Sequence, residues 1–128
     1  MKHDFLVNKR KIIVVAQIKG INGFRSFKFI LDTGASKSII DESVAFRLGF
    51  DLKRLEKDKL MTIGGSAYSK ILKLPKLCLF GKDLVNFEVN ILNMPFQVLY
   101  FADGLIGMDF LLQFKNIKFD FVEKIIET

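Results

Sequence analysis

The sequence has very few residues of the kinds that carry metal, redox or histidine-based chemistry: one cysteine, one histidine and no tryptophan among 128 residues. Without a second cysteine, Cys78 forms no disulfide within the chain, and its apolar neighbours predict a small core residue. His3 lies near a terminus that we expect to fray, and no Ser or Cys motif accompanies it, so a histidine-dependent triad is not indicated. One His and one Cys make no zinc ligand set, and the acids lack a calcium-loop pattern. We therefore expect no metal and no cofactor.

Long hydrophobic runs are also missing. The first residues lack the apolar region of a secretory signal, and the run at residues 12–18 is too short to span a membrane. By default we expect a soluble, cytoplasmic protein. A chain of this length is predicted to form one domain that buries about two thirds of its unfolded surface.

The net charge of +6 raises nucleic acid or an anionic surface as partners. The basic residues are dispersed, however, and the dense run at residues 53–59 is interleaved with acids. We therefore expect no nucleic-acid partner. Half of the residues are hydrophobic, including 14 Phe, and some of this apolar surface is expected at a subunit interface.

The first half of the chain alternates in a way typical of strands. Residues 12–19 and 24–31 are predicted to form a hairpin around a turn at residues 20–23, followed by a short strand at 38–40. Asp41 is the predicted N-cap of a helix over residues 42–48, which Gly49 ends. Residues 51–59 are predicted to be an exposed connection.

The second half predicts further β structure. Residues 61–68 read as a hairpin with a Gly-Gly tip, and strands follow at 69–74, 76–80 and 84–92, the last with a wet face of Asn86, Glu88 and Asn90. Pro75 and Pro95 are expected at element boundaries. A strand at 97–101, a short helix at 108–114 and a strand at 117–121 that continues through 127 complete a mainly β, barrel-like domain with one or two short helices.

One polar stretch interrupts this apolar pattern. Asp32 stands at the end of a buried strand, where desolvation disfavours a charged carboxylate unless it is paired, hydrogen-bonded or used. Residues 29–36 carry hydrophobic-hydrophobic-Asp-Thr-Gly-Ala, which resembles the active-site signature of the aspartic proteases. Ala35 and the short chain are similar to the retroviral-type, or retropepsin-like, branch of that family.

Two further stretches support the resemblance. Residues 61–68 look like the family's flap, and Leu105, Ile106 and Gly107 look like its second hydrophobic-Gly element, with a helix after it. Order and spacing agree from residue 12 to residue 121. The resemblance thus implies a closed, barrel-like retropepsin fold over residues 12–128, with residues 1–11 as an N-terminal extension.

The resemblance also implies a function. Asp32 would be one half of a two-carboxylate site, so the chain would be an endopeptidase that acts as a homodimer on peptide or protein substrates. Thr33 would hydrogen-bond across the dimer axis, and Gly34 would bring its N–H to the carboxylates. Because Ala35 lacks the hydroxyl that a Ser would offer to the ionised carboxylate, the pH optimum of activity would lie between mildly acidic and neutral pH. The flap would close over an extended peptide through Ile63, Gly64, Gly65, Ser66 and Tyr68.

Other interpretations remain open at this point. Tyr68 either contacts substrate or packs within the flap, and Asp103 and Asp109 are interpreted as a turn residue and a residue of the helix's first turn. Apolar residues at Ile63, Leu105 and Ile106 suggest a preference for hydrophobic substrates. The rival functions are a catalytically silent, dimeric peptide-binding or assembly module of the same fold and a basic nucleic-acid-binding β-barrel.

Overall fold

The computed structural model describes residues 1–62 and 65–128. Its strands are β1 (Lys2–Asp4), β2 (Leu6–Asn8), β3 (Lys11–Gly20), β4 (Gly23–Leu31), β5 (Ile39–Asp41), β6 (Lys57–Thr62), β7 (Gly65–Leu79), β8 (Lys82–Leu92), β9 (Gly104–Ile106), β10 (Lys118–Asp120) and β11 (Ile125–Glu127). Its α-helices are α1 (Glu42–Arg47), α2 (Phe96–Leu99) and α3 (Met108–Leu111), and Leu52–Arg54 forms a 3-10 helix.

One sheet closes on itself to form the barrel. It has eight strands in the order β2-β3-β4-β9-β5-β8-β7-β6, and β3 also pairs with β7, so that β3, β4, β9, β5, β8 and β7 form a ring. A separate sheet, in the order β1-β11-β10, joins the two ends of the chain. The predicted mainly β, barrel-like fold is confirmed.

The core lies inside this ring and follows the predicted alternation. Val14, Ala16 and Ile18 of β3 are buried on one face, and Phe27 and Phe29 of β4 pack in the same cluster. Burial of these side chains is the main favourable term that holds the two strands in register.

Helix α1 forms as the sequence predicts. Asp41 is its N-cap, accepting hydrogen bonds from the backbone N–H and the hydroxyl of Ser43, and it also accepts one from Met94 N at 2.9 Å. Burial alone would raise the pKa of Asp41, but these hydrogen bonds outweigh it and hold the pKa below its ordinary value. After the helix, Gly49 adopts φ +89, a left-handed conformation that favours glycine.

Two predictions for the β7–β8 hairpin are wrong: the boundary at Pro75 and the exposure of Asn90. Pro75 lies inside β7, between the residues that pair with β6 and those that pair with β3, so its missing N–H costs no ladder bond on that edge. Asn90 is buried rather than on a wet face: it lies opposite the core-facing Val89 and Ile91, and its side-chain amide donates to Ser69 Oγ at 2.7 Å. In β8 the core-facing side of the strand changes at Asn86, whose φ of 55 interrupts the alternation of side chains. Leu84 packs against the core before this break, and Phe87 and Val89 do so after it.

Four element predictions are wrong in type or extent. Residues 97–101 form part of α2 and the turn after it rather than a strand, with Pro95 as N-cap at the predicted boundary. The helix expected over residues 108–114 ends at Leu111, and the last strand is split into β10 and β11 by a tight turn in which Lys124 has φ 55. Residues 51–59, predicted to be a connection, include the 3-10 helix and the start of β6.

The chain's beginning is ordered rather than frayed. His3 pairs with Ile126 in the β1–β11 ladder, and the N-terminal ammonium donates to Thr128 O at 2.9 Å. Burial, and then the nearby positive N-terminus, lower the pKa of His3. Residues 2–8 therefore contribute two strands, while the division between an extension and a domain at residue 11 stays a prediction.

None of the helices within residues 1–62 and 65–128 has the length and hydropathy needed to cross a bilayer.

Candidate active site

Asp32 is positioned by a pair of parallel strands. Residues Phe29 to Leu31 of β4 pair with Gly104 to Ile106 of β9, and Asp32 N continues the ladder by donating to Ile106 O at 2.9 Å. β9 is itself paired with β5 on its other edge. A side chain at the end of strands fixed on both sides is held more accurately than one in a free loop.

The loop after Asp32 folds back on the carboxylate. Gly34 N donates to Asp32 Oδ1 at 2.9 Å, and Ala35 N donates to Asp32 O at 3.2 Å. A Cβ on Gly34 would lie only 3.2 Å from Asp32 Oδ1. Asp32 is half-buried, whereas Thr33 and Gly34 are exposed in the single chain. The carboxylate therefore stands beside an exposed turn, with one backbone donor already oriented toward it.

The second hydrophobic-Gly element, residues 105–107, and the start of α3 lie against this loop. Met108 N donates to Ala35 O at 2.8 Å, and Asp109 N donates to Ser36 O at 3.1 Å. Gly107 allows the approach, since a Cβ there would lie 2.7 Å from Ala35 O. The structure thus brings together Asp32, the Thr-Gly-Ala turn and the element at residues 105–107, as the sequence resemblance implied.

Ser38 and Asp109 form a connection that the sequence analysis missed. Ser38 N donates to Asp109 Oδ2 at 2.9 Å, Ser38 Oγ donates to Asp109 Oδ1 at 2.7 Å, and Gly107 N donates to Ser38 Oγ at 3.0 Å. Asp109 does lie in the first turn of α3, but its carboxylate is also tied to the active-site loop. The available signal was Ser38, a polar residue directly before the apolar residues of β5, which needs a hydrogen-bond partner if it is buried.

Asp103 is more than a turn residue. It accepts a hydrogen bond from Lys28 N at 3.0 Å and forms an ion pair with Arg47 at 3.2 Å. These contacts join β4 and α1 to the residue just before β9. They hold the strand that supports Asp32 without touching Asp32 itself.

The predicted flap is only partly described. Ile63 and Gly64 lie outside the described residues, whereas Gly65, Ser66 and Tyr68 lie at the start of β7 and face β6 in an antiparallel hairpin. Tyr68 is 80% exposed, so it does not pack within the single chain. That leaves its side chain available for a contact with another molecule.

A cavity of about 610 Å³ lies at the base of this hairpin, between β6, β7, β8 and α1. Its lining includes Glu42, Tyr68 and Ile91 but not Asp32. In the described part of the chain, no group of three or more His, Cys, Asp or Glu side chains is arranged to hold a metal ion. This cavity is therefore separate from the half-buried carboxylate of Asp32, which lies beside the exposed turn at Thr33 and Gly34.

The fold, and the position of Asp32 in it, define the class: this is the retropepsin-like aspartic protease fold. The chain is similar to a retropepsin-like aspartic protease from Rickettsia conorii, with a TM-score of 0.73 and 24% identity over 98% of this chain and 88% of that one. It is also similar to EIAV protease, solved with the inhibitor HBY-793, with a TM-score of 0.61 and 17% identity over 84% of this chain and 91% of that one.

The sequence places the chain within a family. Residues 19–113, more than half of the chain, match the model of the family described as "gag-polyprotein putative aspartyl protease", and the chain belongs to this family of aspartyl proteases. No curated protein gives a significant match in sequence. The predicted family resemblance is confirmed.

Proposed function

We propose that the chain is an aspartic endopeptidase that acts as a homodimer, with one Asp32 from each subunit in a shared active site. The observation that carries the proposal is the placement of Asp32 at the end of paired strands, with Gly34 N on its carboxylate. Membership of the aspartyl protease family and the shared fold support it.

Peptide hydrolysis by this route needs two facing carboxylates with a water between them. One ionised carboxylate accepts the proton of the water, and one protonated carboxylate polarises the scissile carbonyl. Two such groups about 3 Å apart share a proton, because both cannot be ionised at once, and they titrate as a pair. Gly34 N–H would stabilise the ionised form by hydrogen bonding to Asp32 Oδ1.

One chain supplies half of this arrangement. The sequence has a single Asp-Thr-Gly, and the turn that carries it is exposed in the single chain at Thr33 and Gly34. A two-fold axis beside this turn would bring the two Asp32 side chains together and allow Thr33 to hydrogen-bond across the axis. The β6–β7 hairpin would then cover an extended peptide, pair with its backbone and exclude bulk water.

The proposal is tested by cleavage of a mixed peptide library between pH 4 and pH 7 with the wild-type chain and with Asp32→Asn. The amide is nearly isosteric but can neither accept the water's proton nor share the acid proton, so we expect cleavage to disappear. Analytical ultracentrifugation of both proteins reports whether the dimer is intact. Equal cleavage by both proteins, or none by either with a stable dimer, would overturn the proposal and favour a silent peptide-binding module.

A further inference from the structure

The outside of the barrel carries a row of side chains that has no role in the proposed function. Phe24 of β4 pairs with Lys19 of β3. Lys19 also pairs with Lys76 of β7, which pairs in turn with Val85 of β8. Paired residues have their side chains on the same face of a sheet, and in β3 this face is opposite the buried side chain of Ile18. The four side chains therefore form one row across four strands, on the outside of the barrel.

Large apolar side chains at both ends of the row are in contact with solvent. Phe24 is 52% exposed and Val85 is 67% exposed. Ile21, in the turn that joins β3 to β4, is 66% exposed, although such turns favour Gly, Asn, Asp and Ser. The solvated face of an antiparallel sheet is normally polar, so this pattern indicates contact with another molecule. We call five residues the β3 outer surface: Lys19, Ile21, Phe24, Lys76 and Val85.

Lys19 and Lys76 are like charges on neighbouring strands. Directly opposite residues have Cβ atoms about 4.5–5.5 Å apart, and like charges at that separation destabilise a sheet. Lys76 Nζ is 3.7 Å from Asp83 Oδ2, whereas none of the ion pairs found in residues 1–62 and 65–128 includes Lys19. The lysine pair therefore keeps a net positive charge between two apolar groups, and an anion bound from outside would stabilise it.

The hairpin end that carries this surface is held in place and is far from the catalytic residue. Ile21 N donates to Leu48 O at 2.8 Å, and Gly20 packs so closely on Leu48 that a Cβ at Gly20 would overlap its backbone. Phe24 lies eight residues before Asp32 along an extended strand, a distance of about 26 Å. A two-fold axis beside the catalytic turn would therefore leave the β3 outer surface exposed in the dimer.

We propose that the β3 outer surface docks the protein on an anionic lipid membrane. Ile21, Phe24 and Val85 insert at the level of the lipid headgroups, and Lys19 and Lys76 bind the headgroup phosphates. Peripheral binding of this kind combines burial of apolar side chains with attraction of lysines to anionic lipid. The net charge of +6 adds to that attraction. This inference goes beyond the proposed function and does not depend on it.

A lipid headgroup fits this surface better than other anionic partners do. Single-stranded nucleic acid is held by stacking of its bases on several aromatic rings, and Phe24 is the one aromatic residue among the five. The central contacts of protein interfaces are rich in Trp, Tyr and Arg, none of which this surface contains. Lysine ammonium groups bind phosphate from many directions, and aliphatic side chains need no specific partner, which suits a fluid bilayer.

The test is co-sedimentation of the protein with vesicles of phosphatidylcholine alone or with about one third phosphatidylserine. We expect binding to the anionic vesicles only, and we expect salt to weaken it. Each lysine at an anionic surface contributes about fivefold, so Lys19→Gln with Lys76→Gln should weaken binding about 5- to 25-fold. Lys115→Gln with Lys118→Gln removes the same charge from exposed residues elsewhere and should weaken binding about twofold at most. No binding to anionic vesicles, or an equal loss in the two double variants, would overturn the proposal.

The orientation on the membrane is tested with a fluorophore that is sensitive to polarity. Gln17 is exposed on the same face of β3 as Lys19, so a label on Gln17→Cys, in a Cys78→Ser background, should brighten and shift to shorter wavelength on anionic vesicles. Phe46→Cys, at an exposed position of α1, is the control and should not change. A shift at Phe46→Cys but not at Gln17→Cys would place the membrane against another face and overturn the proposal.

Insertion of apolar side chains has its own variant. Phe24→Ser should weaken binding to anionic vesicles several-fold, because a hydroxyl gains nothing from leaving water, whereas Phe46→Ser should bind like wild type. Urea unfolding of each variant checks that the fold is kept. A folded Phe24→Ser protein that binds like wild type would exclude insertion.

The rival partner is tested by fluorescence anisotropy of a labelled single-stranded RNA. We expect weak binding that the Lys19→Gln, Lys76→Gln protein and the Lys115→Gln, Lys118→Gln protein share, since the net charge of the whole chain causes it. RNA that binds through Lys19 and Lys76, together with vesicles that do not bind, would make this a nucleic-acid surface and overturn the proposal.

Discussion

Three hydrogen-bond donors converge on the carboxylate of Asp109, and two of them belong to Ser38 at the end of the active-site loop. The third is Phe110 N at 2.8 Å. Ser38 is buried, so losing its partner would leave an N–H and a hydroxyl unsatisfied. We therefore expect Asp109 to act as a positioning residue for the loop that carries Asp32.

The first prediction concerns this connection. Asp109→Ala should lower kcat by about 10- to 100-fold with a much smaller change in KM, because a displaced carboxylate loses reactive geometry before it loses substrate binding. Asp109→Asn should fall between this variant and wild type, since an amide can replace one acceptor oxygen but not both. Glu123→Ala, an exposed acid far along the chain, is the control in steady-state kinetics; equal kcat in all four proteins would contradict the role.

Asp41 gives a prediction about stability and pH. Its folded-state pKa lies below its ordinary value, so the ionised form stabilises the fold above that ordinary value and the contribution is lost as pH falls through the folded pKa. Asp41→Asn should reduce the free energy of unfolding by about 1–3 kcal/mol at pH 7, because the amide accepts fewer of the hydrogen bonds from Ser43 and Met94. Urea unfolding at pH 7 and pH 3 should show this difference shrinking in acid; a difference that grows in acid would contradict the assignment.

The β7–β8 hairpin changes its inward face at a single pair of positions. In β7 the buried residues are Leu72 and Leu74 before Pro75, then Leu77 and Leu79 after it. In β8 the matching change occurs at Asn86, which takes a left-handed φ of 55. The two strands shift together, so the cross-strand pairs on both sides remain aligned.

A third prediction follows from this conformation. Asn86→Gly should be neutral or stabilising by up to about 1 kcal/mol, and Asn86→Val should be destabilising by about 1–2 kcal/mol, because only the second adds a branched Cβ at positive φ. Glu88→Val places the same side chain two residues along the strand, where the conformation is ordinary, and should change stability by less than about 0.5 kcal/mol. Urea unfolding measures all three, and an Asn86→Val protein as stable as wild type would exclude strain at this position.

How far the elements could be predicted depends on where their stabilising contacts lie. β3, β4 and α1 carry local signals, namely alternation and the Asp41 cap, and the structure has them as predicted. The segment at residues 97–101 is apolar and short, so its pattern fits a strand or a helix equally, and the helix follows from packing of Val98 between two clusters. The β1–β11 pairing joins opposite ends of the chain and has no local signal.

The residues of the candidate site also differ in whether a local sequence signal reveals them. Asp32 and the Gly107 element are recognisable because short motifs carry them, whereas the Ser38–Asp109 connection spans 71 residues and appears only once the chain is folded. Asn90 lies on the opposite face of β8 from Val89 and Ile91, as alternation indicates, but it is buried there and its side-chain amide donates to Ser69 Oγ at 2.7 Å. The break at Asn86 affects Val85 instead: alternation alone would place it with Val89 and Ile91, yet it is 67% exposed. Long-range polar contacts and local breaks in alternation are the features that one sequence does not reveal.

In the whole molecule, the proposed activity belongs to two chains rather than one. In the described part of the chain, the cavity of about 610 Å³ is not lined by Asp32, and the turn after Asp32 is exposed at Thr33 and Gly34. An active site completed on a two-fold axis would place this exposed turn at the subunit interface. Activity is then expected to fall faster than linearly on dilution below the dissociation constant of the dimer.

The most direct test of this account is to titrate Asp32→Asn protein into a fixed amount of wild-type protein, after subunit exchange and well above the dimer dissociation constant. Each site needs two Asp32 carboxylates, so peptide cleavage should fall to about one half at equal amounts and about one quarter at threefold excess, as random pairing of subunits requires. Lys53→Met protein, added in the same amounts, should raise cleavage in proportion to its own active sites. Cleavage that stays constant as Asp32→Asn protein is added, with subunit exchange confirmed, would contradict a shared two-aspartate site.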